Sequence, residues 1–281
     1  MACGLAQNVS FLIALRFIQG IAGCTGLVVT FAIAADCFRG AKLISVSGLL
    51  GVAWGLAPVL APAAGGIIVQ YVSWRMIFFG IAVLAGIVGL ILLFFLPETL
   101  AVSNRSPIRL RETLSTIGGG LRNTRFMSYA LVFALAGSVQ IVFGVAAPFL
   151  YQERLGFSPA AYGLIALLVG AANLMGEVAC SALAQRITSR NLCFGAWSVL
   201  AVGAVIMGLS GTFLGPGSFA ITIAGCLSLA GCGTLCPAMY GMGLGLFSRN
   251  LGLMGGMISA ICYLGISAST AVVAHLPQNT Q

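Results

Sequence analysis

The sequence predicts an all-α membrane protein whose chain crosses the bilayer eight times. Hydrophobic residues fill 60% of the 281 positions and charged residues 6%, too few charges to solvate a water-soluble protein of this length. Apolar runs recur along the chain, each long enough as a helix to cross a hydrocarbon core of about 30 Å. Basic residues collect in alternate connections, as the positive-inside rule requires.

Residues 1–8 form a short lead-in that reads as the tail of a preceding helix; they carry neither a basic start nor a cleavage pattern. The spans are then expected at 9–35, 43–73, 76–96, 126–150, 160–185, 191–214, 219–247 and 251–276. Asp36, Arg39 and Lys42 mark a tight charged turn, and Trp74 with Arg75 forms an interfacial aromatic and cation pair. The longest polar stretch, 97–125, reads as a connector between two helical groups, with a short interfacial helix near 108–117. Within it Gly118, Gly119 and Gly120 read as a flexible break. Residues 151–159 are expected as a loop, and Pro237 as a kink in the seventh span.

The connections at 36–42, 97–125, 186–190 and 248–250 share one side and hold ten basic residues, whereas the other side holds Arg75 and Arg154. This ratio puts the basic side in the cytoplasm and both Met1 and Gln281 outside. The formal charge of +8 is thus a property of loops held at a membrane surface. It does not point to nucleic acid, because the basic residues are divided among short loops with no aromatic interleaving.

Polar groups inside the spans are the candidate site. Arg16 is the one charged side chain between Val9 and Ala35. An arginine there costs about 2.5–3.5 kcal/mol on insertion scales, so it is expected to face a bundle interior or a wet cavity. Gln19 lies three residues on, on the same face, and Gly20 and Gly23 follow as a surface for close helix packing. Glu177 is the one carboxylate inside a span, either a proton carrier or a structural partner. Gln140 and Asn173 either line a substrate path or bond between helices. Gly48, Gly51, Gly55, Pro58, Pro62, Gly65 and Gly66 remove bulk and backbone hydrogen bonds along the second span, permitting close contact and bending.

Nine cysteines invite a metal reading, but Cys24, Cys180, Cys193, Cys226, Cys232, Cys236 and Cys262 sit in apolar runs as small hydrophobes. Cys232 and Cys236 share a helix face without a histidine near in sequence, which favours packing over ligation. One histidine, His275, and five acids leave little for an embedded enzyme, so neither catalysis nor a cofactor nor a metal is implied.

These residues resemble the major facilitator superfamily. Leu12-x3-Arg16-x2-Gln19-Gly20 is similar to that superfamily's fourth-helix motif. Gly48-x8-Ala57-x3-Ala61-Pro62-x2-Gly65-Gly66 is similar to the antiporter motif of its fifth helix, with two alanines in place of glycines. Asp36 with Arg39, Ser73-Trp74-Arg75-x2-Phe78 and Leu96-Pro97-Glu98-Thr99-Leu100 resemble the bicyclomycin- and chloramphenicol-resistance branch of drug:proton antiporters. The resemblance implies a major-facilitator bundle of twelve helices in two halves, of which these spans match helices four to eleven. Residues 1–96 would then be the remainder of the first half, 97–125 the cytoplasmic loop, and 126–281 the second half without its last helix.

The activity implied is proton-coupled efflux of small amphipathic drugs or metabolites by alternating access, from a bacterial inner membrane. Its partners are a small-molecule substrate, protons and the bilayer, and the protein is expected as a monomer. Arg16, Gln19, Gln140, Asn173 and Glu177 would lie on the substrate or proton pathway, and Asp36 and Arg39 would act as gating charges. An uptake carrier of the same fold and an inactive fragment are the alternatives. The acid that commonly carries protons in this branch belongs to a helix that the chain does not contain.

Overall fold

The structure, a computed structural model, describes residues 2–99, 110–210 and 217–275, and of 24, 27, 54, 57–71, 110, 159, 160 and 218 only the backbone path. A 3-10 turn at Ala2–Leu5 precedes α1 (Val9–Cys37), α2 (Gly40–Tyr71), α3 (Arg75–Phe95), α4 (Leu110–Arg122), α5 (Thr124–Phe149), α6 (Pro159–Leu183), α7 (Ser189–Leu209), α8 (Ser218–Gly245) and α9 (Leu251–Ala274). No strand occurs among the described residues.

Among the described residues, seven helices are long and apolar enough to cross a membrane: α1, α3, α5, α6, α7, α8 and α9. The eighth expected span, α2, is a continuous helix of 32 residues. It carries no charged side chain beyond Lys42. The helix starts follow local chemistry. Asn8 accepts from the Phe11 amide at 2.8 Å, Asn123 from Phe126 at 3.1 Å, and Ser158 from Ala161 at 3.2 Å, each satisfying a donor that the first turn leaves open.

α8 lies at the centre, flanked by α2, α5, α6 and α7. Tyr240 of α8 stacks between Phe31 of α1, at 4.2 Å, and Phe133 of α5, at 5.4 Å, and its hydroxyl donates to the Gly255 carbonyl of α9 at 3.2 Å. Leu43, Phe126, Leu244, Met254 and Ile258 complete this core. In contrast, Ile81 to Phe95 turn large apolar side chains outward along α3, as a lipid-facing helix does.

The described parts of the four basic connections gather at one end. Arg39 Nη1 donates to the Phe247 carbonyl at 3.3 Å, joining the α1–α2 turn to the end of α8. Ile44 packs with Ala184 and Leu192 beside the α6–α7 turn, and Gly120 of α4 meets the Met254 and Met257 side chains of α9.

Two expectations need correction. Gly118, Gly119 and Gly120 are not a break but part of α4. A Cβ on Gly120 would lie 3.0 Å from the end of Met257, so close packing outweighs poor helix propensity. Residues 151–154 are not loop: α5 continues through a π-helical turn at Leu150–Arg154. It is held by Tyr151, fully buried, whose hydroxyl pairs with Thr222 Oγ1 at 2.7 Å and whose ring meets Phe157 and Tyr162. The lead-in is a 3-10 turn, with Gly4 seated on Phe78, Phe79 and the Arg75 carbonyl of α3. Pro237 stands inside an unbroken α8, and part of the polar connector, 100–109, lies outside the described residues, as does 211–216 at the end of the sixth span.

Candidate functional site

Two helices deliver one chain of polar groups to the buried middle of the bundle. On α6, Asn173 and Glu177 are four residues apart and therefore share a face. Asn173 Nδ2 donates to Glu177 Oε1 at 3.0 Å. The amide oxygen of Asn173 accepts from Gln140 Nε2 of α5 at 2.9 Å, which fixes the orientation of the Asn173 amide from both sides. Asn173 is 3% exposed and Glu177 7%, so water has little access to either. Glu177 Oε2 has no hydrogen-bond partner.

Glycine encloses this chain. A Cβ on Gly55 of α2 would lie 2.5 Å from Glu177 Oε2, and one on Gly51 would lie 3.4 Å from the Glu177 carboxyl carbon. One turn earlier, a Cβ on Gly48 would meet the Ser181 backbone nitrogen at 2.7 Å. On the other side, Gly233 of α8 sits against the Asn173 carbonyl, and Gly176 of α6 sits against the Ala230 carbonyl. Thr234 Oγ1 closes that contact by donating to the Gly176 carbonyl at 2.9 Å. At the end of the α2–α6 seam, Ser45 Oγ donates to the Ser181 carbonyl at 2.7 Å. The backbones approach because side chains are missing, and the approach seals the carboxyl from lipid and water.

Arg16 and Gln19 form a second, separate group on α1. Arg16 Nη1 donates to Gln19 Oε1 at 3.1 Å, and the guanidinium lies 4.6 Å from the centre of the Phe78 ring of α3. The thiol of Cys3 donates to the same Gln19 oxygen at 3.6 Å. Arg16 is exposed in this structure, and a Cβ at Gly20 or Gly23 would touch nothing within 4 Å. The expected Trp74 and Arg75 pair is present, with the guanidinium 4.8 Å from the Trp74 ring centre.

Asp36 and Arg39 stand at the end of α1 and in the turn after it, Asp36 half-buried and Arg39 exposed. Gly48 lies in the α2–α6 seam, whereas Pro62, Gly65 and Gly66 fall in 57–71 and lie outside the described side chains. Cys180, Cys232 and Cys262 are buried as core residues. The structure thus joins Gln140, Asn173 and Glu177 with Gly48, and joins Arg16 with Gln19. Sequence reasoning gave no role to Gly51 and Gly55 as the seat of a carboxyl; their spacing of four along α2 was the available signal.

These features define a multi-pass helical membrane protein with polar groups enclosed between its spans. The chain belongs to the Major Facilitator Superfamily, whose profile matches residues 1–270. It is 34% identical over 179 residues to the uncharacterized MFS-type transporter YdgK of Bacillus subtilis (strain 168), covering 62% of this chain and 44% of that protein. It is 31% identical over 175 residues to the multidrug resistance protein MdtL of Salmonella heidelberg (strain SL476), again 62% of this chain and 44% of the relative. Each match therefore spans less than half the length of these relatives. The fold is similar to that in the crystal structure of the human organic anion transporter MFSD10 (TETRAN), with a TM-score of 0.57 and 20% identity over 95% of this chain and 68% of that one.

Proposed function

We propose that the chain acts within a proton-coupled exporter of small amphipathic compounds, in the bicyclomycin- and chloramphenicol-resistance branch and in a bacterial inner membrane. The observation that carries this reading is the buried Gln140–Asn173–Glu177 chain held against the glycine edge of α2. A carboxyl so placed serves no packing purpose that an apolar side chain would not serve better, and intramembrane acids mark ion paths. Similarity to MdtL supports drugs as the cargo.

In this reading residues 1–96 belong to the first half, 97–125 is the cytoplasmic connector, and 126–281 belong to the second half. The α2 contact with α6 and α8 is then the seam between halves that rock about a central cavity. The greater length of the relatives supports placing these spans as helices four to eleven of a longer monomeric transporter. Arg16 with Gln19 faces the cavity there, and Asp36 with Arg39 gates its cytoplasmic end.

The test uses inside-out vesicles carrying the protein within its full reading frame, with uptake of a fluorescent amphipathic dye driven by an imposed proton gradient. Wild type should concentrate dye until a protonophore is added. Arg16→Ala should lose uptake at normal membrane abundance, because a neutral side chain cannot replace the guanidinium fork. Uptake that ignores the protonophore, or wild-type uptake by Arg16→Ala, would sink the respective claim.

A further inference from the structure

We propose that the outer face of α4 is a docking surface for anionic phospholipid, with Arg111 and Arg122 taking headgroup phosphates and Leu114 and Leu121 entering the acyl boundary beside them. The proposal deepens the exporter reading by giving its connector a lipid partner, and it rests on that reading only for naming the leaflet as cytoplasmic.

The helix has two faces. Ile117 and Gly120 turn to the bundle, where Ile117 packs on the core and Gly120 meets the Met254 and Met257 side chains of α9. Arg111 and Arg122 lie about three turns apart, so they share the opposite face, and both are exposed. Leu114 and Leu121 form a second outward line, about 80° round the helix from the arginines, and are 58% and 52% exposed. An apolar line beside a basic one is the pattern of a helix lying in a membrane interface.

Depth selects a bilayer over a soluble partner. Met257 stands in the second turn of α9, about 9 Å along its axis from Leu251, and α9 is long and apolar enough to span. A helix that rests on Met257 therefore lies level with the headgroups and the edge of the hydrocarbon. At its other end α4 meets α5, a further span, through Asn123 alone. Arg122 and Arg125, both exposed, stand on either side of that corner, where the chain enters the membrane.

The charge of the outer face has one sign. Glu112, the one acid of α4, lies about 100° round the helix from Arg111. It lines a cleft of about 360 Å³ with Ser115, Thr116, Arg249 and Asn250, where Arg249 brings a charge of the opposite sign. The planar donor fork of arginine suits phosphate oxygens, and each basic side chain beside an anionic surface adds about fivefold in affinity.

The test uses the protein within its full reading frame, in nanodiscs of phosphatidylcholine with or without phosphatidylglycerol. Hydrogen exchange of amides 112–122 should slow when phosphatidylglycerol is present and recover in high salt, while amides of α7 stay unchanged as a control for folding. Native mass spectrometry of protein taken from an equimolar mixture of the two lipids should show phosphatidylglycerol retained in excess. Arg111→Gln combined with Arg122→Gln should cut that selectivity about thirty-fold, from two arginines at about fivefold each. Arg186→Gln combined with Arg190→Gln, on another turn at the same end, should leave it near wild type. Equal slowing by inorganic phosphate in pure phosphatidylcholine would overturn the proposal in favour of a free-anion site. Exchange equally slow in both lipids would overturn it in favour of cover by another part of the protein. Wild-type selectivity in the Arg111 and Arg122 variant, or an equal loss in the Arg186 and Arg190 variant, would reduce the face to general surface charge. A phosphatidylglycerol effect in a protein that moves no dye keeps the docking surface and removes the exporter reading; dye transport without that effect does the reverse.

Discussion

The glycines of α6 and α8 and those of α1 and α3 look alike in the sequence, yet the fold uses them in opposite ways. Gly176, Gly231 and Gly233 press against the backbone of neighbouring helices. A Cβ added at Gly20, Gly23, Gly26, Gly80, Gly86 or Gly89 would meet nothing within 4 Å. In lipid no hydrophobic force draws one helix to another, and association relies on van der Waals contact at small residues. Glycine in a span is therefore a permission. Whether a neighbour takes it is decided by topology, and in α6 and α8 the neighbour is already in place.

Gly233→Ala should give the largest effect, because the new methyl group would occupy the position of the Asn173 carbonyl. Overpacking of this kind costs about 1–3 kcal/mol, read as a lower detergent melting temperature, and an unchanged melting temperature would mean that the α6–α8 contact is looser than described. Tyr151→Phe sharpens the comparison from the polar side, since it removes one bond to Thr222 and no volume. A hydrogen bond inside a membrane bundle is worth about 0.6 kcal/mol on average, so a small drop is expected, and a loss matching Gly233→Ala would show that polar bonds outweigh close packing here. Gly86→Ala should change stability by less than about 0.5 kcal/mol in either direction. A marked loss would break the comparison by showing that the glycine face of α3 is occupied.

Much of the fold was legible because lipid imposes a coarse code: apolar runs set the spans, and their ends fall within a few residues of the described helix ends except where α5 runs on through Leu150–Arg154. Pairings within one helix were also legible, since Arg16 and Gln19 at three apart, and Asn173 and Glu177 at four, must share a face. Contacts between helices were not. Nothing local ties Gln140 to Asn173, or Gly55 to a carboxyl more than a hundred positions later. The errors have the same cause: Gly120 read as part of a break because the methionines of α9 are distant in sequence, and Tyr151 to Arg154 read as loop because Thr222 is.

The bare edge of α2 has a consequence for friction. Knobs set into holes fix two helices in register, and sliding one past the other forces side chains through unfavourable rotamers. At Gly48, Gly51 and Gly55 there are no knobs, so α2 can shear along α6 with little resistance from the seam itself. Register along this edge is then kept by two catches, the Ser45 bond to the Ser181 carbonyl at one end and the carboxyl of Glu177 farther in. A surface of this kind moves freely until it is caught, and here both catches belong to α6.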